Sequence, residues 1–283
     1  MGIDLFLKCE NLQKTGSFKP RGALNKLASL DEAARRRGVV TVSAGNHAQA
    51  LAWAARATNV RATVVMPQSA SQAKADASAG YGAEVIRHGT TFEAFDRAHA
   101  LAAERGLLFV HPFDDEDVVA GAGTTGLEIL EQVSDIDAVV VPIGGGGLIA
   151  GIATAVKQLR PSVSVYGVEP RGAAAMRASL DAGRAIRLQN VDTIADGLAA
   201  PMAGELTYEI VRRYVDDVVL VTDAEIAAAV RALLSRVKLL AEPAGAAAVA
   251  AILESRLPLR AGARVVAMVS GGNVDLERLK ELL

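Results

Sequence analysis

Lys19 lies in Thr15-Gly16-Ser17-Phe18-Lys19-Pro20-Arg21-Gly22-Ala23, a turn between an apolar strand pattern and a helical one. A lysine at such a junction, hemmed by Phe18, can lose part of its hydration. That lowers its pKa and frees a neutral amine to form a Schiff base with a carbonyl carbon. The ordinary alternative is a solvated surface lysine. A second segment, Val139-Val140-Val141-Pro142-Ile143 followed by Gly144-Gly145-Gly146-Gly147-Leu148, reads as a buried strand, a loop without Cβ atoms and a helix start. Backbone N–H groups at a helix start can hold an anion. Three readings stay open for this loop: a phosphate-bearing cofactor, a dinucleotide, or a tight turn with no ligand. The dinucleotide reading rests on Gly145, Gly147 and Ala150 matching G-x-G-x-x-A, with Glu169 at the spacing of a ribose-binding carboxylate. No Gly-Lys-Ser/Thr follows the loop, which excludes the nucleoside-triphosphate P-loop.

Three further segments carry polar groups at element ends. Thr41-Val42-Ser43-Ala44-Gly45-Asn46-His47 runs from a strand through a polar loop into a helix. Glu242-Pro243-Ala244-Gly245 opens another helix, and Ser270-Gly271-Gly272-Asn273-Val274-Asp275 closes the last strand. Each taken singly is an ordinary cap or turn.

The elements that must position these groups alternate along the whole chain. Strand patterns at 3–9, 39–42, 62–66, 84–87, 107–110, 138–143, 163–168, 217–221 and 264–270 are separated by helical stretches. The latter cover 47–57, 70–80, 91–104, 120–133, 148–159, 204–213, 223–239 and 243–255. Such alternation predicts an α/β fold, with parallel sheets covered by helices on both faces and ligands at the carboxyl ends of the strands.

The 283 residues suffice for one large or two modest domains, and an apolar fraction of 51% excludes disorder. Lys+Arg 30 against Asp+Glu 32 leaves a net charge of -2, so no basic field exists to bind nucleic acid. Cys9 is the single cysteine, which predicts a reducing, cytoplasmic setting. Residues 138–156 are uncharged, but Pro142 and four consecutive glycines argue against a membrane helix, and no export signal is expected at the N-terminus.

Taken together, SFKPRGA, SAGNHAQA, PIGGGGLIAGIA, EPAG and SGGNVD resemble, in family order and over essentially the whole chain, the fold type II pyridoxal-phosphate enzymes. Within these the chain is most similar to the threonine/serine dehydratase and serine racemase group. The resemblance implies a two-domain, tryptophan synthase β-like fold with parallel twisted sheets. Its large domain would be 1–36 with 114–283, its small inserted domain 37–113, and no C-terminal regulatory domain is expected. It implies that Lys19 binds the cofactor aldehyde and later takes the substrate Cα proton. Phe18 would lie beside the ring and Asn46 would bond the phenolic oxygen. Gly144, Gly145, Gly146, Gly147 and Leu148 would hold the phosphate, and Ser270 would face the pyridine nitrogen. Ser43, Ala44, Gly45, Asn46 and His47 would receive the substrate carboxylate, with Glu242 near the site.

The activity so implied is β-elimination from a small β-hydroxy amino acid, threonine or serine, giving 2-oxobutanoate or pyruvate and ammonia, in a homodimer. Serine racemase and 3-hydroxyaspartate dehydratase are the alternatives within the fold. An NAD-binding Rossmann enzyme and an inactive paralogue are the distant ones. Racemases of the group carry a hydroxyl residue where this chain has Ala44. Their divalent-cation site uses a glutamate and an aspartate six residues later, whereas Glu169 here is followed at that spacing by Ala175, so no metal is expected. Pro20 and Ala122 depart from the common pattern, and the family usually has several dozen residues before the first strand.

Overall fold

The computed structural model describes residues 2–283. In chain order its elements begin with β1 (Asp4–Cys9), α1 (Lys19–Ser29), α2 (Glu32–Arg37), β2 (Val39–Val42), α3 (Asn46–Thr58), β3 (Ala62–Met66), α4 (Gln72–Gly80), β4 (Glu84–Arg87), α5 (Thr91–Arg105) and β5 (Leu108–Phe109). They continue with α6 (Glu116–Gln132), β6 (Ala138–Pro142), α7 (Gly147–Leu159), β7 (Ser164–Pro170), α8 (Ala175–Ala182), α9 (Glu205–Tyr214), β8 (Asp217–Val221), α10 (Asp223–Ala232), α11 (Pro243–Leu253), β9 (Arg264–Val269) and α12 (Leu276–Leu282). The chain divides into two compact units: Phe18–Gly121, and Ala122–Leu283 with the N-terminal residues through Ser17.

In the unit Phe18–Gly121 the strands form a parallel sheet of order β4-β3-β2-β5. Every residue of β2 and β3 is buried, as expected of valine-rich strands covered on both faces. One face packs against α3 and α1, with Ala23, Leu27 and Leu51 fully buried; the other packs on Ala94, Ala98 and Leu101 of α5. Helix α5 starts where its sequence dictates, because the Thr90 hydroxyl accepts from Glu93 N and Glu93 Oε2 accepts from Thr90 N at 2.7 Å. Helix α1 joins α3 in one core, which is why this unit begins at Phe18 and takes Lys19 with it.

The other unit has a five-stranded parallel sheet of order β1-β9-β6-β7-β8. Its core is dominated by alanine and valine. Helix α11 is buried on every side from Pro243 to Ile252, and its run of small residues lets α10 and the sheet approach closely. No helix among the described residues is long and apolar enough to cross a membrane. Residues 138–156 instead form β6, the glycine loop and the start of α7.

Helix boundaries differ from the sequence expectation where a cap was overlooked. Helix α6 begins four residues earlier than 120, at Glu116, because Asp115 Oδ1 accepts from the backbone of Asp117 and Val118 at 2.9 and 3.1 Å. The stretch expected as one helix over 223–239 ends its α-helical part at Ala232 and widens into a π-helical turn over Leu233–Val237. Lys238 then adopts a left-handed conformation with φ 63°. Helices α2, α8 and α12 were not expected.

Candidate active site

In the unit Phe18–Gly121, Lys19 opens α1 with Pro20 in the first turn, where a missing N–H costs nothing. Gly22 is required by close approach, since a Cβ there would lie 2.7 Å from the Val118 carbonyl oxygen of α6. Nζ of Lys19 donates to the Pro112 carbonyl at 2.7 Å and lies 5.1 Å from the Phe18 ring centroid. Burial of the amine lowers its pKa to about 8, with no carboxylate to offset it.

Two histidines share this electropositive surrounding. His47, in the first turn of α3, is buried, and neither ring nitrogen makes a well-formed hydrogen bond among the described residues, although the Val110 backbone weakly favours its charged form. Burial, Lys19 and His111 together hold it well below the usual histidine range, so it is neutral. His111 is lowered to about 4, mainly by burial, and its Nδ1 accepts from the backbone of Asp114 at 2.8 Å. That bond folds the His111-Pro112-Phe113-Asp114 turn and fixes the carbonyl that receives Lys19.

The Ser43–His47 loop leaves the carboxyl end of β2, whose Thr41 hydroxyl donates to the Val110 carbonyl at 2.7 Å. Ser43 Oγ accepts from Gly45 N at 3.1 Å, and Gly45 caps α3 ahead of Asn46. Ala44 is exposed and offers no titratable group. The loop therefore presents backbone N–H groups at a helix start, a setting suited to a carboxylate.

In the other unit, the glycine loop leaves the carboxyl end of β6 as expected. Gly146 adopts φ +97°, where a Cβ would lie 2.8 Å from both Met176 Cε and Thr207 Cβ; a Cβ at Gly144 would lie 3.2 Å from the Gly197 carbonyl oxygen. Only glycine fits at position 146. Gly147 and Leu148 open α7, so the loop turns unsatisfied N–H groups outward at a helix N-terminus. Ser270 follows β9 and is 4% exposed; among the described residues its hydroxyl makes one long 3.5 Å contact, to the Ala244 carbonyl. Glu242 precedes α11, and its Oε1 lies beside Gly197.

Glu169 is fully buried at the end of β7. Its two carboxylate oxygens accept from Met176 N and Arg177 N, each at 2.8 Å, and tie down the start of α8. Burial still raises its pKa to about 7.

Sequence reasoning overlooked Pro112, His111, Gly197, Met176 and Thr207. The Pro-Phe-Asp and Asp-Gly turn signals mark the first three places, but nothing local points to Met176 or Thr207.

Residues 1–271 match the family described as "Pyridoxal-phosphate dependent enzyme". The chain belongs to that family. Among this enzyme family's curated members, it is 48% identical over 283 residues to an L-threonine ammonia-lyase of Thermotoga maritima, covering 100% of this chain and 70% of that one. It is 46% identical over 281 residues to the catabolic L-threonine dehydratase of Escherichia coli (strain K12), covering 99% and 85%. Among solved structures, the processed form of threonine deaminase isoform 2 from Solanum lycopersicum superposes with a TM-score of 0.94 at 40% identity, covering 99% and 82%. As a pyridoxal-phosphate enzyme the chain needs an amine of lowered pKa and a cradle for a phosphate. Lys19 has such an amine, and the loop at the start of α7 has backbone N–H groups at a helix N-terminus.

Proposed function

We propose that this enzyme is a threonine/serine ammonia-lyase, converting L-threonine to 2-oxobutanoate and ammonia and L-serine to pyruvate and ammonia, the water eliminated first being returned on hydrolysis. The observation that carries the reading is the Lys19 amine, desolvated to a pKa of about 8 in a turn of the family's lysine motif. The names of relatives 46% to 48% identical over nearly the whole chain support threonine as substrate.

When bound, pyridoxal phosphate supplies an electron sink for negative charge at the substrate Cα. Lys19 would hold the cofactor, and its free amine would take the Cα proton and pass it to the departing β-hydroxyl, which leaves as water. The resulting enamine hydrolyses to the 2-oxo acid and ammonia. Gly144 to Gly147 and Leu148 hold the phosphate through backbone N–H groups. Phe18 flanks the ring, and Asn46 bonds the phenolic oxygen. Ser270 meets the pyridine nitrogen with a neutral hydroxyl, which does not enforce ring protonation and so favours prompt elimination. The Ser43–His47 loop, with Ala44 and Gly45, receives the substrate carboxylate, where a neutral His47 can donate one hydrogen bond. Glu242 stands near the site. The reading extends to a cytoplasmic homodimer, with functional domains of 1–36 plus 114–283 and 37–113.

The test is to purify the protein with added pyridoxal phosphate, look for a yellow chromophore bleached by borohydride, and assay 2-oxo acid from threonine, serine and 3-hydroxyaspartate. Absence of colour would remove the cofactor assignment. Colour without 2-oxo acid from threonine or serine would remove the activity.

A further inference from the structure

Behind the glycine loop, α9 presents a hydroxyl to the backbone that the loop must keep oriented. Thr207 is fully buried, and its Oγ1 donates to the Gly145 carbonyl at 2.7 Å; the same carbonyl accepts from Gly204 N at 3.4 Å. The Gly145–Gly146 peptide is trans, so its C=O and N–H point in opposite directions. Fixing the carbonyl toward α9 therefore turns the Gly146 N–H to the other side of the loop. Between two glycines little besides the short Thr207 bond and the longer Gly204 one resists rotation of that peptide plane, because neither residue has a Cβ to restrict φ and ψ. Met176 closes the remaining space behind Gly146, and its own backbone N–H is held by Glu169.

We propose that Thr207 is a positioning residue for the cofactor phosphate: its hydroxyl locks the Gly145–Gly146 peptide with the N–H facing the phosphate seat. The inference rests on the reading of the glycine loop as that seat. Its consequence is selective, because a residue that orients one phosphate-binding N–H matters only to ligands that carry the phosphate.

The experiment compares pyridoxal 5'-phosphate with pyridoxal, which lacks the phosphate, in titrations of the apoenzyme followed by the chromophore. Thr207→Val keeps the shape and removes the donor; Thr207→Ser keeps the donor. In the valine variant the dissociation constant for pyridoxal phosphate rises about tenfold, the scale of one net hydrogen bond. The constant for pyridoxal stays unchanged, and the serine variant matches the wild type. An unchanged constant for pyridoxal phosphate in the valine variant, or an equal loss for both ligands, overturns the proposal. If the wild type itself binds the two ligands equally, the phosphate-seat reading fails first. Should the valine variant not fold, Thr207→Cys, similar in size and a poor donor, carries the same comparison with a smaller expected loss for pyridoxal phosphate alone.

Discussion

The side-chain amide of Asn273 donates to the Thr15 carbonyl at 2.6 Å, joining residues 258 apart in sequence. Gly16 lies directly beneath it at φ +71°, and a Cβ there would overlap Asn273 Oδ1. Gly272 N also donates to the Gly16 carbonyl at 2.9 Å, so the turn ahead of Lys19 and the loop after Ser270 are knitted together. Asn273→Ala lowers stability by about 1 kcal/mol, the usual scale of a lost hydrogen bond. Urea unfolding measures this, and an unchanged midpoint would refute the link.

Lys19 in the apoenzyme reacts as an amine of lowered pKa. Its neutral fraction grows as pH rises, and it reaches half near pH 8 rather than 10.5. Labelling with an amine-directed reagent at increasing pH, read at Lys19 by peptide mass, should show half-maximal rate near that value. A rate still far from its plateau at pH 10 contradicts it.

Gly146→Ala places a side chain at φ +97° against Met176 and Thr207. Strain of about 1–2 kcal/mol for the left-handed conformation adds to the overlap, and cofactor binding weakens. Gly183→Ala is the control: φ is +71° but the surroundings are open, so it carries the strain alone and retains the cofactor. Equal cofactor affinity in the two variants would show that the loop is not a tight seat.

Glu169 makes stability fall with rising pH. Its folded pKa of about 7 exceeds the ordinary 4.5, so the native state binds its proton more tightly than the unfolded chain. That contribution is fully present below about 4.5 and is lost as pH approaches and passes 7, up to about 3 kcal/mol. Glu169→Gln removes this component. Unfolding free energies at pH 5 and 8 should differ less in the variant, and identical pH slopes would contradict the assignment.

If the Ser43–His47 loop receives the substrate as proposed, Ala44 has no hydroxyl to donate a proton there, and racemisation is expected to be negligible beside elimination. Chiral chromatography after incubation with L-serine should find pyruvate and scarcely any D-serine. Comparable amounts would refute it.

Much of this was legible locally. The valine runs of β2 and β6, buried on both faces, announce strands of a parallel sheet, and Thr90 with Glu93 announces the start of α5. The glycine loop and the lysine turn stood out because their residue types are restricted by backbone geometry. Strand order did not, because β1 pairs with β9 across nearly the whole chain, and such a pairing leaves no periodic trace. Thr207 and Met176 were invisible for the same reason: each serves a loop distant in sequence, and threonine or methionine in a helix carries no mark of what it faces. Helix α8 is short and held by Glu169 from outside, a tertiary effect that overrides propensity.

The alanine-rich α11 leaves mutation little to remove. Truncation, the usual way to injure a core, barely applies to a helix whose buried side chains are mostly single methyl groups, so damage there comes from enlargement. Gly245, whose missing Cβ makes room for the Gly271 carbonyl, is its tightest point. A saturation scan of this helix should rank substitutions by added volume, with hydrophobicity a poor guide, and intolerance should peak at the end nearest Ser270.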